Sequence, residues 1–201
     1  MAFIMTACGG SSDAPPNVMI NQFFGGRGGN ADTPVSHDFV ELFNSDAIDI
    51  DMSGWTLHVS SSRVGALSRT TTFPYGTIIP ARHSFLIRGV AMTSSTELRA
   101  NDPVPLALNI SAFDLAWNIM FIDNGNYVHI VLRNVDGDVI DAFSNRIGAP
   151  LMGEIAINMT SRQRSARRIN FQSTNNNARD FQGIAWGCVN QPGTKWSARR
   201  F

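Results

Sequence analysis

Residues 18–60 read VMINQFFGGRGGNADTPVSHDFVELFNSDAIDIDMSGWTLHVS, and their patterning decides the fold class. Val40 and Leu42 alternate with Phe39, Glu41 and Phe43, and Trp55, Leu57 and Val59 alternate with Thr56, His58 and Ser60. A period of two sends alternate side chains to opposite faces of an extended chain, so both runs are expected to be half-buried strands. Asn44, Ser45 and Asp46 between them bond readily to their own backbone and suit a tight reversal. Working outward, the stretch reads as strand, long loop, strand, turn, short strand, and a further strand announced by Ser53-Gly54-Trp55. Trp55 is expected to pack between two sheets. Glycines at 25, 26, 28 and 29 give the loop of residues 25–36 freedom for positive φ or for close approach to a neighbour. Two readings of that loop follow. The preferred one is a cover over Phe39 and Phe43, which share a face with Glu41; the other is a ligand loop presenting Arg27, Asn30 and Asp32.

The order INQFFGGRGGN, DFVELFN, DMSGWTL resembles the opening half of the lamin tail domain, and in particular bacterial copies found on exported proteins or beside extracellular nucleases. Gly25, Gly26, Gly28, Gly29 and Asn30 match the family's glycine loop, with Arg27 interrupting it. Residues 38–44 match its D-F-[IV]-E-L-[FY]-N strand, and Met52 stands where leucine is usual. Further on, DGDVIDAF resembles the family's G-x-x-[IV]-D strand, with Asp141 at the aspartate. Residues 173–181, STNNNARDF, resemble its D-T-D-N-N-x-x-D-F loop, with Ser173 and Asn175 replacing two acids that a cation would use. Gln191-Pro192-Gly193 resembles the terminal S-P-G. The resemblance implies an all-β fold, an immunoglobulin-like β-sandwich with long loops. It also implies an accessory binding or structural role, with no catalysis of its own.

The rest of the chain is less decisive. Residues 61–72 are polar and read as a connection. Residues 77–79 and 84–88 read as strands around the turn Pro80-Ala81-Arg82, residues 91–102 as loop, and residues 110–117 as either a short helix or irregular chain. Asn124-Gly125 and Asp136-Gly137 are hairpin signals bracketing an alternating strand over residues 127–133. A last strand is expected over residues 168–172.

A chain of 201 residues, 43% of them hydrophobic, is long enough for one domain with a real core. It contains no run of about 20 apolar residues of the kind that spans a bilayer as a helix. Its zero formal charge hides an asymmetry. Residues 1–160 carry eight arginines against fifteen carboxylates, and residues 161–201 carry seven arginines and Lys195 against Asp180 alone. The two cysteines, Cys8 and Cys188, are too few for a disulfide framework. MTACGGSSDAPP resembles a bacterial lipoprotein cleavage box and its tether, with Cys8 as the lipid-bearing residue. Only seven residues precede Cys8, none of them lysine or arginine, so the leader is expected to start upstream of Met1. Cys188 is then an unpaired thiol, expected to be buried. The organisation that follows is a leader over residues 1–8, a tether over 9–17, the sandwich over 18–193 and a basic tail over 194–201. The expected location is the bacterial cell envelope, reached by export and held to the membrane through Cys8.

No pattern for catalysis or for a cofactor emerges. His37, His58, His83 and His129 include no pair at metal-binding spacing, and Cys188 has no cysteine neighbour. His58 and His129 fall on outward faces of their strands. There is no G-x-S-x-G elbow and no phosphate loop before a helix. Residues 123–126, DNGN, lack the spacing of an EF-hand, and Asp46, Asp49 and Asp51 read as a solvated acidic edge. No catalytic residue, metal, cofactor or small-molecule substrate is expected. The remaining signal is SRQRSARRINF. In a strand, Arg162, Arg164 and Arg168 would share a face with Ala166, with Arg167 opposite. Such a row suits phosphates or an acidic polysaccharide, without reading sequence. It also suits an edge strand that uses charge to block pairing, and that plainer reading is preferred. The expected function is a non-catalytic binding or structural module whose partner is a protein or a polyanion at the cell surface. The alternative is an accessory partner of an extracellular nuclease or other secreted hydrolase. No heptad-patterned rod accompanies it, which sets aside a filament protein.

Overall fold

The alternation of residues 37–44 becomes the middle of a sheet in the computed structural model, which describes residues 17–25, 37–62, 67–91, 113–120, 122, 127–145 and 164–185. In chain order the strands are β1 (Val18–Phe24), β2 (His37–Asn44), β3 (Ile50–Asp51), β4 (Thr56–Ser62), β5 (Leu67–Thr72), β6 (Ile78–Ile79) and β7 (Ser84–Ala91). They continue with β8 (Leu115–Ala116), β9 (Tyr127–Arg133), β10 (Val139–Ser144) and β11 (Arg164–Arg168). One helical turn, α1 (Asn177–Asp180), leads into β12 (Phe181–Ala185). One sheet runs β12-β11-β1-β2-β7-β8, a second β10-β9-β4-β5, and β3 and β6 form a separate ribbon. The pairings are antiparallel except β7 with β8. This is an all-β, immunoglobulin-like sandwich, as expected.

Alternation builds the interior. Val18, Ile20 and Phe23 of β1 and Val40 and Leu42 of β2 meet Leu57 and Val59 of β4 and Ile130 and Leu132 of β9. Phe143 closes on Phe23 edge-on at 4.5 Å and on Phe181 at 4.8 Å. Trp55 packs against this cluster but is only partly buried, short of the full burial expected. It precedes the first paired residue of β4 and belongs to a turn in which Gly54 has φ +74°, with the Trp55 N–H donating to the Met52 carbonyl. Glycine suits that left-handed position. Gly25 serves a different purpose: a Cβ there would lie 2.1 Å from the Ile122 carbonyl oxygen, so close backbone approach is what requires it.

The structure also redraws several boundaries. Residues 67–72 form an edge strand paired with β4 rather than a connection. Residues 115–116 form the short parallel strand β8, neither the helix nor the irregular chain that the sequence left open. The last expected strand is displaced: β11 ends at Arg168, and the chain then turns through Asn170 and Phe171, both at positive φ. Residues 123–126 and most of residues 91–102 lie outside the described residues.

Candidate polyanion interface and the charge centre beside it

The arginine strand was the one segment with an expected ligand class, and its place in the sheet changes its meaning. β11 lies between β12 and β1, so it is an interior strand, and charge at an edge does not account for it. Its alternation is as expected: Arg164, Ala166 and Arg168 share one face and Ser165 and Arg167 the other. The first of those faces is the inside of the sandwich. Ala166 is fully buried and Arg168 is 2% exposed, so Arg168 is not available to a polyanion and that assignment is corrected. Arg164 remains exposed at the far end of the strand, opposite Ala185. Arg167 is partly buried on the outer face beside Gln22, whose side chain bonds Ser165. The three described arginines therefore form no common row. Cys8, Arg27, Asn30, Asp32, Arg162 and Cys188 lie outside the described residues.

Arg168 is instead the hub of a buried charge centre. Its guanidinium donates to Asp141 Oδ2 at 2.6 Å and to Asp180 Oδ2 at 3.0 Å, and its Nε donates to the Ile20 carbonyl at 2.9 Å. The guanidinium carbon stands 4.4 Å from the centre of the Phe181 ring. Asp141 Oδ2 also accepts the Ile20 N–H at 2.6 Å. A bulge explains why Ile20 needs side-chain partners. Asn21 is the extra residue between Ile20 and Gln22, and the ladder to β11 covers only Gln22 and Phe23. The N–H and C=O of Ile20 are thus taken by Asp141 and Arg168, satisfying groups that burial would otherwise penalise. Because Asp141 stands on β10 and Ile20 on β1, the pair also clasps one sheet to the other.

Asp180 ties in the asparagine-rich loop. Its carboxylate accepts the Thr174 N–H at 2.9 Å and the Thr174 hydroxyl at 2.6 Å. Asn176 caps α1 by accepting from the N–H groups of Ala178 and Arg179. Burial pushes the Asp141 carboxyl up from its ordinary range, while Arg168 and the Ile20 N–H pull it down. Every member of this centre is held by another member or by backbone, so the arrangement fixes structure and leaves no base free to attack a substrate.

The other polar residues of the sequence motif behave alike. Asp38 accepts the Ile122 N–H at 2.8 Å, and Glu41, 1% exposed, accepts from the Ser84 hydroxyl. Asn44 accepts the Asp46 N–H and donates to the carbonyls of Ile48, Ile79 and Pro80, binding β2 to its own turn and to β6. Asp49 accepts the Ala81 N–H. Asp51 accepts from the Ser53 hydroxyl and N–H, which hold its carboxyl below the ordinary range. Among the described residues no three of His, Cys, Asp and Glu gather where they would hold a metal ion.

The family model of the lamin tail domain matches residues 11–146, more than half of the chain. The chain therefore belongs to the lamin tail domain family, and its fold is that family's immunoglobulin-like sandwich. No curated protein matches it. β11 and β12 lie beyond residue 146, yet they complete the same sheet, and Arg168 and Asp180 come from that later part.

Proposed function

We propose that this chain is a non-catalytic binding module of an exported bacterial envelope lipoprotein, held to the membrane through Cys8 and binding a polyanion at the cell surface. What supports the reading is the saturation of the buried charge centre. Arg168, Asp141 and Asp180 are spent on the clasp between sheets, and recognition is left to groups nearer the surface such as Arg164 and Arg167. A phosphate backbone would be held without base readout, and association would release counterions. With Arg168 withdrawn into the core and Arg167 on the opposite face from Arg164, either arginine alone gives an expected slope of log K against log salt of roughly −0.9 on duplex DNA, at about −0.9 per phosphate. Arg162 beside Arg164 takes it to roughly −1.8 on the same rule. Titration against duplex DNA and an acidic polysaccharide at several salt concentrations measures this. The anchor is tested separately: with an upstream leader supplied, the protein should fractionate with membranes, and Cys8→Ser should release it. A soluble, unmodified Cys8 protein would remove the lipoprotein part of the reading and leave the binding part intact.

A further inference from the structure

The outward face of the β10-β9-β4-β5 sheet carries a cluster assembled from residues far apart in sequence. His58 of β4 stands opposite Val131 of β9, which puts His129 and Arg133 at the two diagonal positions across the ladder. On its other flank His58 stands opposite Thr70 of β5. The His58 and His129 rings are 6.3 Å apart, centre to centre. His58 Nδ1 lies 3.0 Å from the Thr70 hydroxyl and Nε2 3.3 Å from that of Ser68. Arg133 donates one N–H to the Gly137 carbonyl at 2.8 Å, which orients a guanidinium that carries further donors.

The charge on this face is one-sided. Among its described residues there is no carboxylate: β9 supplies Tyr127, His129 and Arg133, β5 supplies hydroxyls, and β10 supplies Val139, Ala142 and Ser144. Asp136 and Asp138 sit in the turn beyond Arg133, and Arg69 of β5 stands opposite Val59, on the other face. Burial, and after it Arg133, holds His58 below the usual histidine range. A metal cation at these imidazoles would meet the same repulsion from Arg133. An oxyanion would meet the reverse: a planar fork matched to its geometry, hydroxyl donors, and imidazoles that add a positive charge on protonation.

We propose that this face is an oxyanion site, taking a phosphate or sulfate group of an acidic polymer through Arg133 and His58, with His129, Thr70 and Ser68 at its flanks. The inference rests on the polyanion reading for its ligand class and moves the contact from β11 to the opposite sheet. Val131, Ala142 and Ser144 on the same face are buried, so the exposed part lies over β4 and β5 beside Arg133, where a group that projects from a chain can reach it.

The test follows the imidazole resonances of His58 and His129 during titration with inorganic phosphate and inorganic sulfate. Affinities for duplex DNA and for a sulfated polysaccharide are then measured at pH 6 and pH 8. Both rings should shift, and binding should be tighter at pH 6. Arg133→Gln should weaken polymer binding about tenfold or more, the effect of losing a charge-assisted hydrogen bond, and Arg133→Lys by less. His58→Gln should flatten the pH dependence of binding while keeping the urea midpoint at pH 8. Whichever polymer loses affinity in Arg133→Gln identifies the source of the oxyanion. If Arg164→Gln with Arg167→Gln abolishes polymer binding while Arg133→Gln and His58→Gln leave it intact, this site is wrong and the polyanion reading stands. If no probe shifts either ring and no polymer binds at low salt, both are overturned.

Discussion

On the six-stranded sheet, Met19, Phe24, Phe39 and Phe43 point away from the sandwich interior and are nevertheless buried. On the four-stranded sheet the outward residues Thr56, His58, Ser60 and Arg133 are partly exposed, while Val131, Ala142 and Ser144 on that face are buried. Both sets come from strands with the same period of two. The difference shows that alternation reports two faces without saying which of them meets water. On β1 and β2 the outward aromatics pack in pairs, Phe24 on Phe39 and Phe43 on Phe171. Even Glu41 is buried among them, held by Ser84. That sheet is committed on both sides, whereas the other leaves the β4 and β5 part of its outer side at least partly exposed.

The largest expected effect lies where the committed sheet is clasped to its partner. Arg168→Ala leaves two buried carboxylates without their shared cation, and breaking a buried pair in this way costs about 3–5 kcal/mol. That is a large part of the stability of an ordinary domain. Asp141→Asn should cost clearly less. Arg168 keeps Asp180, the amide oxygen can still accept the Ile20 N–H, and a carboxyl that burial has pushed upward loses little by becoming neutral. Urea midpoints of the two variants check the order; equal losses would mean that the centre is not organised around Arg168.

Next in size is the contrast between faces. Phe39→Ala should cost about 3–5 kcal/mol, as for any fully buried aromatic, although Phe39 points outward. Trp55→Ala should cost less than about 3 kcal/mol, because only part of its ring is covered. If Trp55 is the more costly loss, burial on the outer face has been overvalued here.

How much of this was legible follows from the same contrast. Val40, Leu42, Leu57 and Val59 were readable because apolar alternation and core position coincide there. Residues 67–72, LSRTTT, were read as a connection since threonine and serine give no apolar signal; a strand paired on one edge needs none. Arg168 was placed on the correct face and given the wrong environment, since whether that face is wet depends on β11 lying inside the sheet. Ala166, its neighbour on that face, was the available sign. The aspartates at 141 and 180 were visible as motif positions, yet nothing local to either says that they converge on one guanidinium. His58 and His129 were read as outward, but their proximity exists only because β4 pairs with β9.

The smallest expected effect separates the faces by pH. His58 is held below its ordinary value, first by burial and then by Arg133, and His37 is lowered in the same direction by burial and Arg88. A histidine whose folded pKa is depressed takes up its proton more readily when unfolded. Its contribution to stability is therefore complete above about pH 6.5, the unfolded value, and is lost as pH falls through 6.5 toward the folded one. Asp141, raised in the folded state, acts in the opposite sense, binding a proton before the unfolded chain does. The two histidines should thus make stability fall as pH drops below about 6.5, with Asp141 opposing that fall wherever it titrates. The measurement is the urea midpoint of the wild type and of His58→Gln between pH 8 and pH 5. The two curves should run parallel above pH 7. Below that the wild type should fall more steeply, with His37 accounting for the slope that remains in the variant. Parallel curves over the whole range would mean that His58 titrates alike in the folded and unfolded chain, and that Arg133 and the sheet beneath it exert no hold on it.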